Sequence, residues 1–251
     1  MASLRYRDVW LRTLSAVALL ALWQAAATAA ASPQLPGPAA VLAALAALTA
    51  DGRLPLDLGV TLLRVAASFT LAMAVGAAIG MVMGRWARVD AIFDLWLVIG
   101  LNIPALVIIY LCYLWGGLTE VAAISAVALN KVPNTAVILR EGARAIDREL
   151  LQVADVLRLP WTRRMQKVYL PQLYPYLTAA ARSGLSLIWK IVLVAELVGR
   201  SNGVGFELGV YFQFSDITKI LAYSASFIAV VVAVEGWAMR PLERRSMRWR
   251  A

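Results

Sequence analysis

The sequence predicts an all-α integral membrane protein: six transmembrane helices, with a helix-turn-helix loop between the fourth and fifth. Three observations carry that reading. Of 251 residues, 61% are hydrophobic and the mean hydropathy is +0.72, too apolar for a soluble domain of this length. The apolar residues gather into six runs of roughly 20, the length that crosses a hydrocarbon layer. The basic residues concentrate in alternate connections, as the positive-inside bias of membrane proteins requires.

Residues 1–251 read as a single transmembrane domain. The first run, about 13–31, follows Arg5, Arg7 and Arg12. A basic start followed by AAATAAAS also fits a cleaved secretory signal, and the run is taken here as a retained first span. Ser32 to Asp57 reads as an external segment with turn residues at Pro33, Pro36, Gly37, Pro38, Gly52 and Pro55. Within it, Ala39 to Ala50 is apolar but too short to cross, so it is expected to lie at the interface or to re-enter.

The second span, about 58–83, carries Gly76 and Gly80, with Gly84 just beyond, at a four-residue spacing that lets a neighbouring helix approach closely. The third, about 95–115, contains Asn102 and Pro104. After Gly116-Gly117 the fourth covers about 119–139, and its second half holds Asn130, Lys131, Pro133 and Asn134. That charged, proline-broken stretch needs protein or water around it, because lipid cannot satisfy freed backbone groups. The fifth span covers about 176–198 and the sixth about 217–239, followed by a basic tail from Arg240 to Arg250.

Of the 24 Lys and Arg residues, 17 lie in segments that parity assigns to the cytoplasm, 3 in external segments and 4 in the spans. This bias places both termini in the cytoplasm. A net charge of +9 would suggest nucleic acid in a soluble protein. Here the charges mark topology, and no nucleic-acid partner is expected. The absence of His and the single Cys112 remove disulfide frameworks, histidine acid-base work and ordinary zinc sites, so neither a catalytic nor a metal site is expected.

The stretch 147–171 is a polar and basic island between apolar runs. Leu150, Val153, Ala154 and Leu157 recur at three- and four-residue intervals and so share one face of a short amphipathic helix. Asp147 and Glu149 stand at its start, where acids suit the helix dipole. After Arg158 and Leu159 the chain turns at Pro160. A second short helix is expected from about Trp161, or from Thr162, to Leu170, ended by Pro171. The basic character of the loop by itself could be topology alone.

The spacing of this stretch resembles the cytoplasmic loop of the permease subunits of ABC importers: EAA, three residues, Gly, nine residues, Ile-x-Leu-Pro. Gln152-Val153-Ala154 stand at the triplet, Arg158 at the glycine and Val168-Tyr169-Leu170-Pro171 at the close, without a gap. Gln152 replaces the acid. Arg158 resists the left-handed turn a glycine would permit, which points to a turn of another shape. The segment PGPAAVLAALAALTADGRLPLDLGVTLLRV, with Arg64 and with Asp57 where a His is expected, resembles the nitrate, sulfonate and taurine branch, as do AELVG from Ala195 and Gly203-Val204-Gly205.

The resemblance implies a type I ABC importer permease fold in a bacterial inner membrane. It also implies separate ATPase subunits holding ATP and Mg, a second permease copy forming a homodimer, and an external substrate-binding protein. Leu150, Gln152, Val153, Ala154, Leu157, Arg158, Leu159, Pro160, Arg163 and Arg164 become the ATPase-coupling candidates. The apolar ones would fill a groove on the ATPase, while Arg158, Arg163 and Arg164 pair with acids on its rim. The chain has no GxxxxGK[ST] stretch of its own, so no cofactor is expected in it.

The solute path should be marked by groups that lipid rejects. Asn102, Asn130, Lys131, Asn134, Lys190, Arg182, Arg64 and Glu196 are the candidates. With Glu235 included, four basic groups face two acids, which suits a small anionic or zwitterionic solute. Trp115 and Trp189 are possible cavity linings. An ATP-independent secondary transporter or channel is the alternative, with Glu196 as its weak coupling carboxylate; an integral membrane enzyme fits less well, because paired intramembrane acids are lacking.

Overall fold

The computed structural model describes residues 2–239. The tail from Arg240 to Arg250 lies outside the described residues, as do the side chains of Arg5, Arg7 and Arg12. In chain order the helices are α1 (Ala2–Ala30), α2 (Pro38–Ala50), α3 (Arg53–Arg85), α4 (Ala87–Asn102), α5 (Ala105–Gly116), α6 (Glu120–Arg144), α7 (Arg148–Val156), α8 (Trp161–Arg164), α9 (Leu170–Gly199), α10 (Val204–Gln213) and α11 (Ile217–Val234). Among the described residues, five helical stretches are long and apolar enough to cross a membrane, and α4 with α5 makes a sixth if the bent pair counts as one.

The third span is therefore not the continuous helix expected over 95–115. α4 and α5 meet at 98°. The residue before a proline is pushed out of helical geometry, and Ile103 is extended at φ −71°, ψ 124°. Asn102 ends α4 and its amide donates back to the Val98 carbonyl at 2.7 Å. α6, by contrast, runs unbroken through Pro133, against the expected break. Gly100 of α4 lies against the Pro133 ring, where a Cβ would come within 2.8 Å.

α3 is longer than expected. Gly52 at φ 75° starts it, so Arg53 to Asp57 are already helical. Its glycines do what their spacing predicts. A Cβ on Gly76 would stand 2.6 Å from Thr135 Cβ and one on Gly84 2.5 Å from Ala143 Cβ, while one on Gly80 would strike the Ala136 carbonyl. Backbone therefore meets backbone along α3 and α6, the close approach that small residues permit in membranes. α9 packs across both, and Ile188, Val192 and Ala195 join Val65, Ala72, Ala126 and Val127 in the main core. Trp189 is buried in that core, edge-on to Phe227 of α11, whereas Trp115 is exposed. α2 lays Val41 and Leu48 against the bundle, matching the short apolar helix expected there.

Pro171 does not end the second loop helix. α8 passes through a wide π turn, Met165–Tyr169, directly into α9. The Leu170 N–H reaches back five residues to the Met165 carbonyl, and a proline immediately after such a turn loses no bond it could have made. The fifth crossing and the loop are thus one helical rod. α11 likewise runs into a π turn, Glu235–Met239, so the sixth crossing ends less regularly than expected.

Candidate functional site

The loop between α6 and α9 is held rigid by local bonds. The Asp147 carboxylate accepts from the Glu149 N–H at 2.8 Å, as an N-cap should. The Gln172 side chain of α9 accepts from the Asp147 N–H at 2.8 Å and donates to the Val168 carbonyl at 3.0 Å, fastening the start of α7 to the start of α9. Asp155 pairs with Arg164, which joins α7 to α8. Ile146 and Leu151 pack with Leu173, Tyr176 and Leu177 beneath the loop.

Arg158 takes the left-handed conformation after all, at φ 48°. Its N–H donates to the Asp155 carbonyl at 2.9 Å and the Leu159 N–H to the Ala154 carbonyl at 3.0 Å. These bonds close the end of α7 in the manner of a glycine C-cap and offset the strain of a Cβ there. The expected change of turn shape does not occur.

The four residues of the face that the spacing suggests do lie together, along one groove. Ala154 is 2% exposed and turned into the chain. With Leu150, Val153 and Leu157 it lines a groove of about 510 Å³ that Lys167, Val168 and Pro171 complete. Val156, Leu157 and Trp161 stand 82%, 64% and 65% exposed, with Gln152, Arg158 and Arg163 also on the outside, Leu159 half-buried and Pro160 exposed. A second groove of about 590 Å³ lies between Trp161, Arg164, Met165 and Tyr169 on one side and Met81, Val82 and Arg85 of α3 on the other. A small apolar platform on a braced lever, edged by Arg, can bind a protein surface; it holds no group set for covalent chemistry.

At the opposite end of α3 the structure gathers a network that sequence reasoning found only in part. Asp57, Thr61, Arg64 and Ser68 are all buried, and their four-three-four spacing on an apolar helix is the signal that could have revealed it. Arg64 donates to Glu196 at 2.7 Å, to both oxygens of Glu120 at 2.6 and 2.8 Å, and to the Asn202 carbonyl at 2.9 Å. Glu196 also accepts from Thr61 at 2.9 Å and from the Gly205 N–H at 2.8 Å. Asp57 accepts from the Gly203 N–H at 3.0 Å and from the Tyr223 hydroxyl at 2.9 Å. Arg200 adds a second contact to Glu120 at 2.6 Å. Gly203 sits at φ 103°, and a Cβ there would come within 2.6 Å of Glu196 Cδ and 2.7 Å of Arg64 Nη1.

Arg64 and Glu196 therefore satisfy each other and clamp the α9–α10 turn onto α3. The two charges are paired with each other at 2.7 Å. Lys131 is different. It is 2% exposed, and its Nζ donates to Asn134 Oδ1 at 2.8 Å. Among the described residues no carboxylate lies within ion-pair distance of it. Asn130 is half-buried beside it on α6, Asn102 is exposed at the α4–α5 bend, and Arg182 and Lys190 are exposed on α9.

Comparison with known proteins agrees with this architecture. Residues 70–245 match the family model described as binding-protein-dependent transport system inner membrane component. The chain is 31% identical over 249 residues to the putative aliphatic sulfonates transport permease SsuC of Bacillus subtilis (strain 168), covering 98% of this chain and 90% of the relative. It is 26% identical over 240 residues to the taurine transport system permease TauC of Escherichia coli (strain K12), covering 93% and 87%. It is 26% identical over 184 residues to the bicarbonate transport system permease CmpB of Synechococcus elongatus, covering 72% and 66%. An amino acid ABC transporter chain, described as crystallised with histidines, superposes with a TM-score of 0.64 at 18% identity over 80% of this chain and 97% of its own, a likeness of fold. A multi-pass helical bundle with a braced loop of ABC-permease spacing, matched by model and by relatives along its length, belongs to the family of binding-protein-dependent transport system inner membrane components, the permease subunits of ABC transporters.

Proposed function

We propose that this chain is the importing permease for a small oxyanion and that α7 and α8 are the element on which a separate ATPase subunit acts. The observation that supports this most directly is the outward presentation of Val156, Leu157 and Trp161 at the junction of α7 and α8, in a loop tied at both ends. A lever must be stiff to transmit motion, and the Asp147 cap, the Gln172 strap and the Asp155–Arg164 pair supply that stiffness. The unbroken rod from α8 into α9 would carry a push at the loop into the bundle. ATP and Mg belong to the ATPase partner, and the chain's own residues contribute binding and leverage. Membership of the permease family weighs against the ATP-independent channel or secondary transporter.

In this reading the α7–α8 end and both termini face the cytoplasm of a bacterial cell, in keeping with the charge bias. A second copy completes the translocator, and an external binding protein delivers the solute at the end that carries Asn202 and Gly203. The relatives named for sulfonate, taurine and bicarbonate transport support an oxyanion as cargo. The test is co-purification of an ATPase subunit with this chain from its native membranes. Leu157→Asp and Val156→Asp should weaken the complex by at least ~2 kcal/mol, about 30-fold, as loss of an interface anchor does. Full retention of the ATPase by the double variant, with transport intact, would refute the assignment.

A further inference from the structure

Seven side chains of α9 between Tyr176 and Val198 carry a polar group, and they are not spread evenly. Trp189 and Glu196 face the core, and Thr178 is tied to the Pro175 carbonyl. Arg182, Ser186 and Lys190 recur every four residues, which aligns them on one face, and all three are exposed, with Ser183 half-buried at the edge of the stripe. Lys190 lies about 13 Å of helix from Gly199, too far inside the crossing to escape to that end. Hydrocarbon rejects such a face. A second, independent feature stands behind it. Ser183 donates to Asn134 at 3.3 Å, and the same oxygen of Asn134 accepts from Lys131 at 2.8 Å. A Cβ on Gly184 would lie 3.4 Å from the Lys131 side chain, so α9 touches the buried lysine directly. Among the described residues neither Lys131 nor Lys190 has an ion-pair partner, whereas Arg64 and Glu196 neutralise each other at 2.7 Å.

We propose that the α9 face bearing Ser186 and Lys190 lines the water-filled solute path, and that Lys190, backed by Lys131, selects oxyanions there. The hydroxyl of Ser186 offers a donor to sulfonate or carboxylate oxygens. The ammonium of Lys190 supplies a charge attraction that a low-dielectric wall strengthens. This rests on the importer reading, because only a translocator needs a wet polar stripe across the bilayer.

Charged thiol reagents test it without knowledge of the cargo. In a Cys112→Ala background of the full transporter in membrane vesicles, Ser183→Cys and Ser186→Cys are exposed to two methanethiosulfonates, one with an ethylsulfonate tail and one with a trimethylammonium tail. Leu19→Cys and Val232→Cys, on exposed apolar faces of α1 and α11, serve as lipid-side controls. Both serine-site cysteines should react well above the controls. Relative to a free thiol in solution, Ser186→Cys should favour the anionic reagent roughly fivefold, and Lys190→Gln should abolish that preference. Reactivity no higher than the controls at both serine sites, or a preference unchanged by Lys190→Gln, would overturn the proposal. Retention of the ATPase is scored on the same preparations, so failure of the importer reading shows as loss of that subunit with accessibility still measurable.

Discussion

Arg64 Nη1 stands 2.7 Å from Glu196 Oε1, a bond between residues 132 positions apart in the chain. It joins the first third of α3 to the end of α9, with both side chains buried. Every polar atom of the pair that could cost desolvation energy finds a partner: Thr61, Glu120, Asn202 or the Gly205 N–H.

Removing one member should leave the other charge buried. Glu196→Ala or Arg64→Ala is expected to lower stability by about 3–5 kcal/mol, the range for orphaned buried charges. Glu120→Ala, whose side chain is about half exposed, should cost clearly less. Thermal unfolding in detergent, followed by loss of monodisperse protein, ranks the three; equal effects at Glu120 and Glu196 would contradict the burial argument.

Close approach of α3 to α6 makes a second set of expectations. Gly80→Val should destabilise strongly, and even Gly80→Ala should cost about 1–3 kcal/mol as overpacking, because the added carbon meets backbone that cannot move aside. Gly59→Ala, with open space around it, should be neutral or stabilising by up to about 1 kcal/mol, since alanine is the better helix former. The two helical glycines differ only in what faces them, so identical unfolding temperatures for the two alanine variants would refute the packing account.

Arg158 holds a left-handed turn that a glycine adopts without strain. Arg158→Gly is expected to stabilise the loop by about 1 kcal/mol. If the guanidinium also contacts the ATPase, the same change should lower transport-coupled ATP hydrolysis while raising the unfolding temperature. A drop in both would show that the side chain braces the loop itself.

Glu207 lies on α10, which is not one of the crossing helices, and burial followed by the nearby Asp57 carboxylate pushes its carboxyl above the ordinary range. For an acid raised in the folded state, folding favours the protonated form. Stability from this group is therefore greatest at acid pH and is lost as pH rises through the carboxylate range toward its raised folded value. The slope of unfolding temperature against pH should be flatter in Glu207→Gln over that window; an unchanged slope assigns the dependence elsewhere.

Much of the architecture was legible because hydrophobicity in a bilayer is a length test. The apolar runs marked the long helices, although α3, α6 and α9 each extend five or six residues beyond the expected bounds, and four-residue glycine spacing marked a close helix contact before any coordinates. Local cap chemistry was equally readable at Asp147, where an acid precedes a short amphipathic helix. Prolines misled in both directions. Pro104 breaks a span that composition drew as continuous, while Pro133 and Pro171 sit inside helical rods, because neighbouring packing and a π turn absorb what a proline lacks.

Charged residues within the crossings were visible as exceptions to the apolar pattern, yet their roles were not. By itself the sequence determined that this chain crosses a membrane several times, carries a stiff basic loop of ABC-permease spacing and keeps a few ionisable groups at depth, since each follows from residue type and local period. Only the tertiary structure decided that Arg64 and Glu196 neutralise each other, that Ala154 is buried while Leu150, Val153 and Leu157 on the same face stay exposed, and that among the described residues Lys131 and Lys190 have no acid beside them. Those outcomes depend on which helices meet at which rotation, a matter of contacts between residues far apart in the chain that no local spacing encodes.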